Sequence, residues 1–386
     1  VSVAALLRDR KVRDVLAQVA VAAGLVALIV FFVRNASENM VKAGIASGFG
    51  FLWRDSGIEV PFQLTGYTAS SSILGLLWVG IVNTLLVSVV SIVAATLLGF
   101  LIGVARLSRN PMLSGLAGAY VEFVRNIPLL FFVLIWYFGV VASLPAPRAS
   151  IPLLDIAFLN NRGLTVPLPQ EAAGFAYTLL VLLLGMAVQL ALVALSRRRQ
   201  ARTGHALPLG WTALLLLLAA PLATLLWAVL GTAWDVPALR GFNYRGGFVL
   251  VPEFVALFAA LSTYTAGFVA EIVRAGILAV PAGQVEAAKA LGLRPGLALR
   301  LVVIPQALRV MVPPMTSQYL NVIKNSSFGA AIAYPDVVSL FMGSALNNTG
   351  QAIEIIAITL ALYLSISLAV SGFMNWYNAR IALVTR

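Results

Sequence analysis

The chain has 386 residues, of which 61% are apolar and 10% charged, and its mean hydropathy is +0.96. A soluble domain carries roughly 25% charged residues, so a water-soluble enzyme is excluded. The net charge of +12 raises nucleic acid as a partner, but the basic residues stand between long apolar runs, and no nucleic acid is expected.

A membrane-spanning helix needs about 20 apolar residues, and eight segments meet or approach this: 15–33, 81–104, 128–144, 173–195, 211–232, 254–277, 302–323 and 353–377. The first is longer than the apolar part of a signal peptide and no small-x-small site follows it closely, so it reads as a retained anchor. The stretch 34–72, with Gly44, Gly48, Phe49, Gly50, Phe51 and Trp53, reads as an interfacial segment rather than a domain. The second span carries Asn83, Thr84, Ser88, Ser91 and Thr96, and Gly99 and Gly103 form a GxxxG pair. Small and hydroxylated residues let helices approach closely in a membrane. Trp211 to Leu230 instead holds nine leucines and no charge, so that helix and the one before it are predicted to be lipid-facing scaffold.

Within the later spans, Glu271 and Arg274 stand at i,i+3 and are expected to pair, as are Glu122 and Arg125 earlier in the chain. Pro305, Pro313 and Pro314 interrupt the seventh span, and broken helices in transporters often line the substrate path. A lysine at membrane depth costs roughly 2.5–3.5 kcal/mol, so Lys324 either snorkels to the interface or faces a wet cavity. With no cysteine, disulfides, thiolate metal sites and cysteine nucleophiles are excluded. The single His205 reads as a loop residue, and no cofactor or metal site is predicted in the chain.

Placing the N-terminus in the cytoplasm puts 18 of the 26 basic residues inside, as the positive-inside rule requires. Both ends are then cytoplasmic. This arrangement also places 279–305 in the cytoplasm. There Pro281 suits a helix's first turn, Gln284 to Leu291 are good helix formers, and Gly292 suits the left-handed position after a helix. The pattern predicts a helix of about 11 residues, some 16 Å long, with Ala287 and Ala288 beside Glu286 and Lys289 allowing another protein close to its backbone.

Glu286-Ala287-Ala288, Gly292 and Val302-Val303-Ile304-Pro305 resemble, at the family's spacing, the EAA loop of ABC importer permeases. Gly80 to Leu85, Tyr120 to Leu130, Phe268 to Gly276 and Pro305 to Ser327 are similar to stretches of the polar amino-acid branch, about 200 residues of core in all. The resemblance implies an all-α, polytopic fold with a type I ABC importer permease core and a two-helix insertion. The implied parts are an anchor helix and outer loop (1–72), a first core part (73–139), the insertion (140–250) and a second core part (251–386). It implies the inner membrane of a bacterium as location. Glu286, Ala287, Ala288, Gly292 and Pro305 would couple to a separate ABC ATPase dimer that binds ATP and Mg. A second, non-identical permease, membrane lipid and a periplasmic amino-acid-binding protein are the other implied partners.

The competing class is a secondary transporter driven by an ion gradient, which needs a paired acid at membrane depth. The acids here lie at span ends or in loops. A substrate path is expected beside Asn321, Lys324, Asn325, Ser326 and Ser327, with Asn83 and Thr84 as neighbours. An amino acid's α-carboxylate needs a cation there, and its ammonium needs oxygen acceptors.

Overall fold

The computed structural model describes residues 10–42, 48–205 and 207–381. Among the described residues, seven helices are long and apolar enough to cross a membrane: Arg13–Asn35, Ile73–Ala105, Ala173–Thr203, Gly210–Gly231, Pro252–Leu278, Pro295–Ile332 and Ala352–Trp376. The pair Pro111–Asn126 and Leu129–Val141 makes an eighth if taken as one broken span. The break is at Pro128, which has no N–H to donate and keeps the preceding residue out of the helical region; Ile127 is accordingly extended, at φ −110°. The sequence placed this span at 128–144 and did not anticipate its first half.

By its contacts the chain divides into two compact units, one running up to Ile127 and again from Leu261, the other Pro128–Ala260. In the first unit, Ile73–Ala105 begins eight residues before the predicted start because the Ser72 hydroxyl accepts the Gly75 N–H and caps the helix. Gly99 and Gly103 do what the GxxxG spacing promised. A Cβ at Gly99 would stand 2.5 Å from the Val269 Cβ, and one at Gly103 2.7 Å from the Ala270 carbonyl. Helix Pro252–Leu278 therefore lies directly against this face, and Val269 and Val273 are fully buried there.

The stretch after the first helix is more firmly packed than its sequence suggests. Gly44 lies outside the described residues; 48–72 packs on the first unit through Phe51, Phe62 and Tyr67 and keeps Phe49 and Trp53 exposed. Phe51 and Tyr67 join Ile73, Leu76, Phe341 and Ile355 in one buried cluster. The Tyr67 hydroxyl donates to the Ile58 carbonyl at 3.0 Å and meets the Ser56 hydroxyl. Of the aromatic residues that suggested an interface, Phe51 fills the end of the helix bundle, while Phe49 and Trp53 are 57% and 73% exposed.

The second unit holds the two predicted scaffold helices, Ala173–Thr203 and Gly210–Gly231, which are largely exposed along their apolar windows. Among the described residues it also holds eight short strands that the sequence reading did not foresee. In chain order these are β1 Ile151–Leu153, β2 Ala157–Asn160, β3 Gly163–Val166, β4 Leu168–Pro169, β5 Trp234–Asp235, β6 Ala238–Arg240, β7 Asn243–Arg245 and β8 Phe248–Leu250. An antiparallel sheet runs β1-β2-β3-β8, and β4 pairs with β5 and β6 with β7. The segments before and after the helix pair are thus joined by strand pairing, Leu164 opposite Leu250 and Leu168 opposite Asp235.

Candidate functional site

The predicted surface helix is Ala282–Ala290, nine residues rather than eleven. It ends early because Leu291 is its cap and Gly292 takes φ +76°. The Leu293 N–H reaches back to the Ala288 carbonyl at 3.1 Å and the Gly292 N–H to Lys289 at 2.9 Å. These two bonds form a Schellman motif, which satisfies the carbonyls a helix end leaves open. Nothing lies within 4 Å of a Cβ at Gly292, so the glycine is required by backbone conformation alone.

Glu286, Ala287 and Lys289 are exposed. Ala288 is 3% exposed and turns inward, which corrects the expectation that both alanines face a partner. Val285 and Ala288 are three residues apart and so share the inner face. Leu291, which the sequence reading passed over, is 81% exposed at the helix end. The outward surface therefore combines a carboxylate, an ammonium, a bare alanine and a leucine. Pro295 then starts the next helix, and Leu299–Val303 widens to π geometry just before Pro305. A proline there removes a donor and crowds the carbonyl four residues back, and a wider turn relieves both. Pro305 itself is exposed.

The ends of two core helices are tied by charge. The Glu271 carboxylate takes Arg274 at 2.6 Å, the predicted i,i+3 pair, and also meets Arg106 from the end of Ile73–Ala105. Glu122 and Arg125 form no ion pair among the described residues. Both side chains are exposed in the last turns of their helix.

The residues expected to line a substrate path fall into two groups. Asn321 and Lys324 are exposed on one face of Ile304–Asn325, with Asn325 and Ser327 partly so. Lys324 makes no ion pair among the described residues. Asn83, Thr84 and Ser326 are completely buried. The Asn83 side-chain amide donates to the Phe62 carbonyl at 3.0 Å and the Pro335 carbonyl at 2.9 Å, and the Asn83 main-chain carbonyl accepts the Tyr334 hydroxyl. Thr84 accepts the Val337 N–H at 3.2 Å. These two side chains pin the 333–337 turn against the second span and are turned away from solvent. Thr84 and Ser326 are brought together beside Tyr363, whereas Lys324 is on the open side of its helix.

The same turn contains Asp336, a buried carboxylate that the sequence reading overlooked between the spans Pro295–Ile332 and Ala352–Trp376. One oxygen accepts the Ser339 N–H at 2.7 Å, and the other has no hydrogen-bond partner among the described residues. Loss of hydration pushes this carboxyl up to about 7, against the pull of the backbone N–H donors.

The family model for the binding-protein-dependent transport system inner membrane component matches residues 95–383. This chain belongs to that family. It is 48% identical over 375 residues to YhdX of Escherichia coli (strain K12), provisionally named an amino-acid ABC transporter permease protein, covering 97% of this chain and 95% of that one. It is 45% identical to AapQ of Rhizobium johnstonii, a general L-amino acid transport system permease protein, over 98% of this chain and 94% of AapQ. BztB of Rhodobacter capsulatus, a glutamate/glutamine/aspartate/asparagine transport system permease protein, is 38% identical over 99% of this chain and 96% of its own length. As a member of the family the chain is a multi-pass membrane component of a transport system and not itself an enzyme.

Proposed function

We propose that this chain is a permease subunit of an ATP-driven ABC importer for polar amino acids, set in a bacterial inner membrane with both termini cytoplasmic. The observation that carries the reading is the Ala282–Ala290 helix, closed by Gly292 and presenting Glu286, Ala287, Lys289 and Leu291 outward. A separate ABC ATPase dimer docks there and binds ATP and Mg, while this chain contributes no nucleotide or cofactor ligand. The buried Ala288 and the proline-opened segment through Pro305 carry the motion of that helix into Pro295–Ile332.

The amino-acid substrate class is supported by the similarity to AapQ and BztB along nearly the whole chain. A second, non-identical permease completes the pathway, and a periplasmic amino-acid-binding protein delivers the solute. Lys324, with Asn321, Asn325 and Ser327 around it, meets the α-carboxylate on the open face of its helix. Asn83, Thr84 and Ser326 support that face from behind. An ion-gradient mechanism needs a paired acid at membrane depth; Glu271 faces two arginines instead, and Asp336 stands between spans with the Ser339 N–H as its partner.

The complex reconstituted in vesicles distinguishes these readings. Uptake of a radiolabelled amino-acid mixture is expected with ATP inside and no ion gradient, and uptake driven by a proton or sodium gradient alone would overturn the proposal. Lys324→Ala is expected to abolish uptake while basal ATP hydrolysis and subunit assembly persist. Wild-type transport by that variant would move the solute path to the partner permease.

A further inference from the structure

The strands of the second unit build a small cavity that the transport reading does not use. Its volume is about 210 Å³, and Asn160, Arg162, Thr165, Asn243, Tyr244 and Val249 line it. Two hairpins bring these residues together from opposite sides of the inserted helix pair. Asn161-Arg162 turn the chain between β2 and β3, and Gly241-Phe242 turn it between β6 and β7. The Tyr244 ring stacks on Phe158 with centroids 4.4 Å apart and planes 21° apart, so the Tyr244 wall is backed by a second ring. Arg148 braces the second hairpin, its guanidinium 4.3 Å over the Phe242 ring and its Nε donating to the Gly241 carbonyl at 3.3 Å.

The floor of the cavity is internally satisfied. Asn160 is 2% exposed; its amide donates to the Ser150 hydroxyl at 3.0 Å and its carbonyl oxygen accepts the Arg162 N–H at 2.8 Å. The rim is not. The Arg162 guanidinium, the Asn243 amide and the Tyr244 hydroxyl make no hydrogen bond or ion pair among the described residues, and no lining residue is acidic. Asp155 stands at the β1–β2 turn, the far end of β2 from Arg162, and Asp235 is held by the Gly247 N–H at 2.9 Å. A guanidinium with open donors, an amide and a phenol around a small concavity is the donor set for a planar anion, and arginine meets a carboxylate with two parallel bonds.

We infer that this cavity is a carboxylate-binding site. The volume is below the roughly 300 Å³ at which pockets for drug-sized ligands begin, so the occupant is a short mono- or dicarboxylate or the side chain of an acidic residue. Arg162 takes the carboxylate, Asn243 and Tyr244 take its polar neighbour, and Val249 with the Tyr244 wall takes the methylenes. In the orientation proposed above the cavity opens outside the cytoplasm, but carboxylate binding does not depend on that orientation.

The purified full-length chain in nanodiscs provides the test, with radiolabelled glutamate as one probe and a labelled hexaglutamate peptide as the other. Arg162→Gln is expected to weaken binding at least tenfold, Tyr244→Phe about threefold, and Arg162→Lys less than Arg162→Gln. All binding is measured in the Lys324→Ala background, so that solute held in the transport path does not contribute. Glutamate binding that succinate displaces and Arg162→Gln abolishes identifies a free solute. Binding of the peptide alone, again lost in Arg162→Gln, identifies a carboxylate carried by a protein. Failure of both probes, or equal binding in that background with and without a folded Arg162→Gln, overturns the inference.

Discussion

Helix Ile73–Ala105 and the pair Ala173–Thr203 and Gly210–Gly231 are similarly apolar, yet they meet different surroundings. In the first, 28% of the most apolar window is buried within the protein, against 6% and 11% in the pair. Hydropathy alone does not separate them, because lipid tails and a protein interior reward apolar side chains alike. The difference is made by small and polar residues. Gly99 and Gly103 admit helix Pro252–Leu278, and Asn83 and Thr84 bond to the backbone of the 333–337 turn; the scaffold pair meets closely at Gly174 and Gly185, but most of its leucines remain exposed. In a membrane the residues that identify a packed helix are the least hydrophobic ones.

The largest test of this contrast is Gly103→Leu. The added side chain must enter space held by the Ala270 carbonyl and Val273, and overpacking of this kind costs about 3 kcal/mol. Thermal unfolding followed by size-exclusion retention in detergent should show a large loss of folded protein. Full retention would mean that the two helices are not in register as described.

Gly292→Val asks whether a helix outside the membrane can fail without disturbing the spans. A β-branched residue at φ +76° carries strain of about 1–3 kcal/mol, and no steric clash adds to it. Co-purification of the ATPase should fall while the thermal stability of the chain barely moves; Gly292→Asn, which tolerates the left-handed region, should keep most of the docking. Equal co-purification for wild type and Gly292→Val would deny the cap its role.

Asp336→Asn sharpens the comparison from the polar side. The unfolded carboxyl ionises near pH 4, whereas in the folded protein it is pushed up to about 7. Between those values the folded state binds more protons, so wild-type stability falls as pH rises and levels off once both states are ionised. Asparagine keeps the oxygen that accepts the Ser339 N–H and cannot ionise. The variant should therefore be the more stable protein at pH 8, with the gap closing toward pH 4. A gap independent of pH would show that the carboxyl is ionised throughout.

The smallest effect is expected at Leu226→Ala. Leu226 is 58% exposed on Gly210–Gly231, and substitutions away from packed features change stability by about 0.5 kcal/mol or less. A loss comparable to that of Gly103→Leu would mean that this face is covered by another subunit.

The sequence by itself determined the membrane character, most of the spans and the surface helix with its glycine cap. Those features rest on local physics: transfer of about twenty consecutive side chains into lipid, and hydrogen bonds among residues four or five apart. Even there the helix was two residues shorter than its composition suggested, because the cap falls at Leu291. Tertiary structure alone decided that Ala288 faces inward, that Phe51 and Tyr67 close the bundle, and that Asn83 and Thr84 hold the 333–337 turn rather than face solvent. It also produced the strands: runs of two to four residues carry too little period to be read from sequence. Their pairing joins Leu164 to Leu250, residues that become neighbours only after the helix pair between them has folded back on itself.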